Sequence, residues 1–108
     1  MIKFDELKET IIPNFYNGEK LINARMHIDD LNKIMLARLI PNASIGYHTH
    51  ATSSEIIFFL SGNGEMILDG VKEKVTKGDC HYCKKGSSHS MVNTGDEDLV
   101  FYAVVTNQ

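Results

Sequence analysis

From residue 20 onward, short runs of β-favouring residues alternate with turn residues, and this punctuation limits the fold more than any other feature of the chain. "KLINARMHI" (20–28) and "KIMLARLI" (33–40) flank "DDLN", which predicts a hairpin. Pro41 and Asn42 end the second run. Residues 46–50 and 55–60 predict two more strands, followed by a turn at "SGNG". "EMILDGVKEKV" carries Asp69-Gly70, residues that tolerate positive φ, between two apolar-containing runs. "KGD" (77–79) is a further turn, and strands at 80–83, 88–92 and 99–105 complete the pattern, with "NTGDED" before the last. Eight or nine short strands at such spacing indicate an all-β sandwich or barrel. The alternating helices that a parallel sheet needs are missing. Only residues 3–11 show helical spacing, through Phe4, Leu7 and Ile11, and predict a short helix in an N-terminal extension.

A chain of 108 residues suits one domain, 1–108, with a core that needs no staples. The net charge of −3, without a run of five like charges, argues against a nucleic acid or an anionic membrane as partner, because both require clustered basic residues. No apolar stretch approaches a membrane span. "MIKFDELKET" is charged early and lacks an apolar core, so it does not read as a signal peptide, and a cytoplasmic location is expected. "IIFFL" (56–60) and "LVFYAVV" (99–105) are apolar on both faces. Strands of a lone small barrel show one face to water, so these outer faces call for cover by the N-terminal segment or by a second subunit. A homodimer is the expectation.

Within "GYHTHATSSE", His48 and His50 are two residues apart. In a strand such residues point to the same face, about 6.5–7 Å apart along the chain. Two imidazoles so placed suit a single metal ion, and Glu55, beyond "ATSS", stands where the next strand could bring a carboxylate. A histidine pair on a solvent face is also common, so the pair alone leaves both readings open.

The second half of the chain adds "GDCHYCKKGSSHSMVN" (78–93). With it, the chain resembles the cupin superfamily, specifically its small single-domain members, often labelled mannose-6-phosphate isomerase-like. His48, His50, Glu55 and Gly62 match the first cupin motif (42–62), and Gly78, Gly86, His89 and Asn93 match the second (78–93). Asn42 replaces the first motif's leading glycine and is well able to adopt a left-handed backbone. Lys84 replaces the second motif's proline. The resemblance implies a double-stranded β-helix, or jelly-roll barrel. It also implies a metal held by His48, His50, Glu55 and His89. Three neutral imidazoles and one carboxylate leave net +1 on a divalent ion, and the donor types suit Fe, Mn, Ni, Co or Zn. Open coordination positions would take a small oxygenated metabolite, in a dioxygenase or in a sugar isomerase or epimerase. The alternative is a non-catalytic small-molecule-binding or sensing module.

"CHYC" invites a zinc or redox reading, but in a strand Cys80 and Cys83 point to opposite faces and cannot share a metal or a disulfide. Cys80 and Tyr82 share one face, His81 and Cys83 the other, and the pattern does not say which faces inward. Tyr82 and His81 are the candidate catalytic side chains. Ile57 and Phe59, in phase with Glu55, are expected to wall the pocket together with Tyr82 and Cys83. Tyr47 is expected to point outward, and Asn93 to tie down a turn.

Overall fold

Alternating burial along several of the strands sets two sheets with their apolar faces together. The computed structural model describes residues 1–108. Ten strands follow in order: β1 Thr10–Pro13, β2 Leu21–Ile28, β3 Asn32–Leu39, β4 Ser44–Thr49, β5 Ser53–Ser61, β6 Asn63–Leu68, β7 Val71–Thr76, β8 Cys80–Cys83, β9 Ser88–Asn93 and β10 Leu99–Asn107. One sheet has the order β1-β2-β3-β10-β5-β8, the other β4-β9-β6-β7, and every pairing is antiparallel. The first and last portions of the chain therefore meet in the larger sheet, where β10 lies between β3 and β5. This is the jelly-roll arrangement.

In β3, Met35, Ala37 and Leu39 are buried while Leu36 and Arg38 face out; β10 buries Leu99, Phe101 and Ala103 in the same phase. From the smaller sheet, Ile45, Met66, Val75 and Met91 close the core. Phe59 packs beside Phe101, with ring centroids 6.0 Å apart and planes tilted by 53°. Asn93, 1% exposed, donates to the Leu39 and Glu97 carbonyls and accepts from the Gly95 amide, so it ties down the turn before β10.

Two local expectations are corrected. Residues 3–11 form no helix: a 3-10 turn covers Phe4–Glu6, and Thr10–Pro13 joins the edge of β2 as a strand. A nine-residue helix is marginal in isolation, whereas the β2 edge offers unpaired backbone groups and Ile12 gains a place against the core. Arg38 then pairs with Glu9 at 2.8 Å and with Asp98 at 3.0 Å, which fastens this edge over the larger sheet. "SGNG" is no open turn either. β5 runs to Ser61, β6 starts at Asn63, and Gly62 alone carries the chain from one sheet to the other at φ 90°. A Cβ there would stand 2.5 Å from the Asp98 carbonyl oxygen, so a side chain has neither the conformation nor the space.

Between β1 and β2 the chain crosses the mouth of the barrel in a tight strap. Asn14, Tyr16 and Asn17 all have positive φ, an unfavourable state for Tyr16 in particular. The strap is held because Glu19 and Ser44 exchange hydrogen bonds and the Asn14 side chain donates to the Gly18 carbonyl. It lies so close to β4 that a Cβ on Gly46 would stand 1.8 Å from the Tyr16 carbonyl oxygen.

Phe101→Ala is expected to cost about 3–5 kcal/mol, read as a lower urea midpoint at unchanged slope; a loss below about 1 kcal/mol would contradict the packing described. Gly46→Ala is expected to lift the strap from β4. Amide exchange at residues 14–18 should rise while that of β10 stays protected, and unchanged exchange would show that the close approach is not needed.

Candidate metal centre

His48 comes from β4, His50 from just beyond its end, Glu55 from β5 and His89 from β9, so both sheets contribute. Pairing places His48 directly opposite His89. A register shift between Ile45 and His48 puts both on the inner face although they are three residues apart. Such bulges recur where a side chain has to be re-aimed. Tyr47 is left pointing to solvent.

The four donor atoms lie within 4.8 Å of one another. His89 Nε2 is 3.0 Å from His50 Nε2, 3.1 Å from His48 Nε2 and 3.0 Å from Glu55 Oε1. His50 Nε2 is 3.2 Å from the same carboxylate oxygen. His50, Glu55 and His89 are buried and His48 is half-buried.

Hydrogen-bond direction decides what these atoms present. His48 Nδ1 is 2.7 Å from the Gly46 carbonyl, which can only accept, so the proton sits on Nδ1 and the Nε2 lone pair faces inward. His89 Nδ1 is 3.0 Å from His81 Nε2, and His81 Nδ1 is 3.2 Å from a Glu73 carboxylate oxygen. Neutral His81 donates to Glu73 and accepts from His89, so the His89 Nε2 lone pair also faces inward. Burial, with the nearby His89, holds the His81 imidazole below its ordinary value and keeps it neutral near pH 7. Burial also lowers His48, against the pull of the Gly46 carbonyl. For Glu55, burial alone would raise the carboxyl, but the adjacent His50 and His89 imidazoles, with His50 Nε2 as the hydrogen-bond donor, outweigh it and hold the group at about 2. Lone pairs of two imidazoles and an ionised carboxylate therefore converge on one point. They repel each other unless positive charge sits among them, and that donor set fits a divalent transition metal.

The donors open onto a cavity of about 230 Å³. Its walls are mostly apolar and include Ile22, Met35, Ile57, Met66, Met91 and Phe101. Thr49, Thr52, Ser53 and Ser90 supply hydroxyls. Glu55 is the single carboxylate among the lining residues and Lys33 the single lysine. The Lys33 ammonium lies 5.9 Å from the centre of the Phe15 ring. Tyr16, on the strap, stacks on the ring of His48 with centroids 3.8 Å apart and planes 9° apart. Burial and the Glu55 charge push its phenol up, so it keeps its proton.

Several expected pocket residues are placed differently. Tyr82 pairs with Ile56 and points out of the sheet, 48% exposed, and it is not among the residues that line the cavity. His81 pairs with Ile57 and is buried behind His89, where it touches a donor rather than the cavity. Cys83 pairs with Glu55 and is fully buried, but it is not among the lining residues; burial and the Glu55 charge push its thiol up to about 11. Phe59 is packed in the core beside Phe101 and does not reach the cavity, whereas Ile57 lines it. Cys80 is exposed and Cys83 buried, and both are free thiols. Tyr16, Lys33 and Glu73 carry no motif. The run "NFYNG", rich in residues that tolerate a left-handed backbone, was the available sign of the strap.

A family profile described as a cupin domain matches residues 35–105. An oxalate-binding protein of Thermotoga maritima is 38% identical over 68 residues, 63% of this chain and 56% of that protein. An uncharacterised protein of Methanocaldococcus jannaschii is 33% identical over 93 residues, 86% of this chain and 66% of that one. Each match thus spans less than two thirds of the relative. A crystal structure from Thermotoga maritima, described as a predicted oxalate decarboxylase, superposes with a TM-score of 0.93 at 26% identity, covering 100% of this chain and 99% of that one. Profile, relatives and fold agree, and this chain belongs to the cupin family.

Proposed function

We propose that this cupin binds one divalent transition metal through His48, His50, Glu55 and His89, and holds a small carboxylate ligand, oxalate or an acid of its kind, beside it. The observation that carries the reading is the convergence of inward-facing lone pairs on one point at the cavity wall. When bound, the ion supplies Lewis acidity and coordination positions open to ligand oxygens. Two plus charges less the Glu55 carboxylate leave about +1 there, which attracts an anion. Lys33 adds a second cation to the cavity lining. The apolar walls exclude water and so strengthen both attractions. The relative named as an oxalate-binding protein supports this choice of acid.

Binding without turnover is favoured over decarboxylation by the proton inventory. Glu55 is the one carboxylate lining the cavity, and as a metal ligand it is not free to deliver a proton. The competing reading is a metal-dependent enzyme, of dioxygenase or of isomerase and epimerase type. One observation favours turnover: Tyr16 keeps its phenolic proton next to the donors. A sugar phosphate is the weaker substrate class, because Lys84 and Lys85 are exposed and stand outside the cavity lining.

The proposal includes a homodimer. On the outer face of the larger sheet, Leu36 and Phe58 flank Tyr102, and Ile56 pairs with Tyr82. Phe4 packs on Tyr102 at 5.4 Å, yet Phe58, Leu60 and Tyr82 stay 51%, 37% and 48% exposed. A contiguous apolar patch of this kind suits an isologous contact with a second copy.

Titration of metal-stripped protein with Mn(II) or Co(II) is expected to reach one ion per chain, and His48→Ala with His50→Ala to abolish uptake. Calorimetry should then show oxalate binding only to the metal-loaded protein, with acetate far weaker. Uptake that survives the double substitution, or oxalate binding without metal, would overturn the reading. Carbon dioxide release from oxalate, or dioxygen consumption, would move the assignment to the enzyme. Sedimentation at micromolar concentration is expected to give a dimer that Phe58→Glu dissociates; a wild-type monomer would refute that part.

A further inference from the structure

The buried His81 lies outside the donor set, outside the cavity lining and outside the proposed ligand contacts, yet both its ring nitrogens are committed. Its Nε2 is 3.0 Å from His89 Nδ1 and its Nδ1 is 3.2 Å from Glu73 Oε1. The His81 side chain is 1% exposed, whereas the Glu73 side chain is 46% exposed. The His81 and His89 rings lie 16° from parallel. The three residues belong to β7, β8 and β9. β7 and β8 are the outer strands of opposite sheets, with no ladder between them, so the Glu73–His81 contact bridges the sheets at that edge.

We propose that Glu73 and His81 form a positioning chain that sets the tautomer, ring orientation and donor strength of His89. This rests on the metal reading given above. The directions of the hydrogen bonds are forced in sequence. Glu73, an acceptor only, draws the His81 proton to Nδ1. His81 Nε2 is then an acceptor and draws the His89 proton to Nδ1. His89 Nε2 is left with its lone pair facing Glu55 and the other two imidazoles. Negative charge at the far end of the chain makes each imidazole a stronger donor toward the centre, as carboxylates behind ligating histidines do elsewhere.

The three imidazoles differ in this respect. His48 leans on a backbone carbonyl and His50 on the Ser53 hydroxyl, 2.9 Å away, which can donate or accept. Neither partner carries charge. His89 alone is backed by a carboxylate, through a second ring. It is also the one imidazole within about hydrogen-bond distance of all three other donor atoms. The chain therefore acts on the central member of the set.

The test uses Co(II) affinity, measured by competition with a chelator, and the Co(II) ligand-field absorption spectrum. Glu73→Gln changes a half-exposed side chain and leaves folding unthreatened. It is expected to weaken Co(II) binding and to shift the absorption bands. His81→Phe keeps a ring but offers no acceptor, and is expected to lose about 10–100-fold in affinity. His81→Gln, whose amide can accept from His89 and donate to Glu73, should recover much of that loss. The proposal is overturned if Glu73→Gln and His81→Phe match wild type in affinity and spectrum. It is equally overturned if they only lower the melting temperature of the metal-free protein while the spectrum stays unchanged, since that is a purely structural role. A wild-type protein that takes up no Co(II) would instead refute the metal reading itself.

Discussion

Mutual repulsion among inward-facing lone pairs is the constraint that the rest of this structure serves. Left to themselves, two imidazole nitrogens and a carboxylate oxygen at about 3 Å would turn apart or take up protons. Each is prevented by something specific. The Gly46 carbonyl fixes His48, His81 fixes His89, and the His50 Nε2–H beside Glu55 holds the carboxylate ionised against its burial. Those partners are in turn placed by strand pairing. His48 faces His89 across β4 and β9, and Glu55 faces Cys83 across β5 and β8. A two-sheet architecture is needed because no single strand could present four donors to one point from different directions.

The mouth of the barrel shows the same economy. The strap has to cross above His48, and it does so at van der Waals contact with β4, which only a residue without Cβ permits at position 46. Its backbone is strained at Tyr16, and the compensation is visible in the bonds between Glu19 and Ser44 and in the stacking of Tyr16 on His48. Strain of this kind, of order 1–3 kcal/mol, persists where the surroundings over-determine it. Here it places a protonated phenol and an aromatic wall against one donor, so the strap belongs to the site as much as to the fold.

The sequence made the periodic parts of this legible and left the choices of face undecided. Asp69-Gly70 predicts its hairpin because two consecutive positive φ angles leave few residue types available, and φ is 48° and 84° there. Asn42, in the place of a glycine, does take φ 66°. The spacing of His48, His50, Glu55 and His89 was visible as a motif, and the structure brings these four side chains together. Parity in "CHYC" was not decidable, because Cys, His and Tyr are each at home on either side of a sheet. Register with β5 decides it, and register depends on residues far along the chain. Tyr82, which parity alone allows in the pocket, stands outside the cavity lining. Residues 3–11 differ from their helical pattern for a related reason: the spacing is local, while the β2 edge that captures Thr10–Pro13 is not. Lys33 was hidden because a lysine in a strand reads as solvent-facing, yet it shares the phase of Met35 and Ala37 and reaches the mouth of the cavity.

Charge is distributed along the barrel in a way that gives the site a direction. Behind the donors, on the side of β7 and β8, Glu73 stands half in solvent and negative, beyond a neutral buried His81. In front of them the cavity is mostly apolar with a few hydroxyls, with Lys33 among its lining residues and Glu55 the single carboxylate. A cation at the donors is therefore stabilised from behind and left exposed in front. On the proposed reading, an anion entering the cavity would meet that cation and Lys33, with Glu55 the single carboxylate among the lining residues. In a low-dielectric enclosure such an asymmetry weighs more than the same charges would in water. The carboxylate ligand proposed above, with oxygen-centred negative charge and little bulk, is of a size that a cavity of about 230 Å³ can hold.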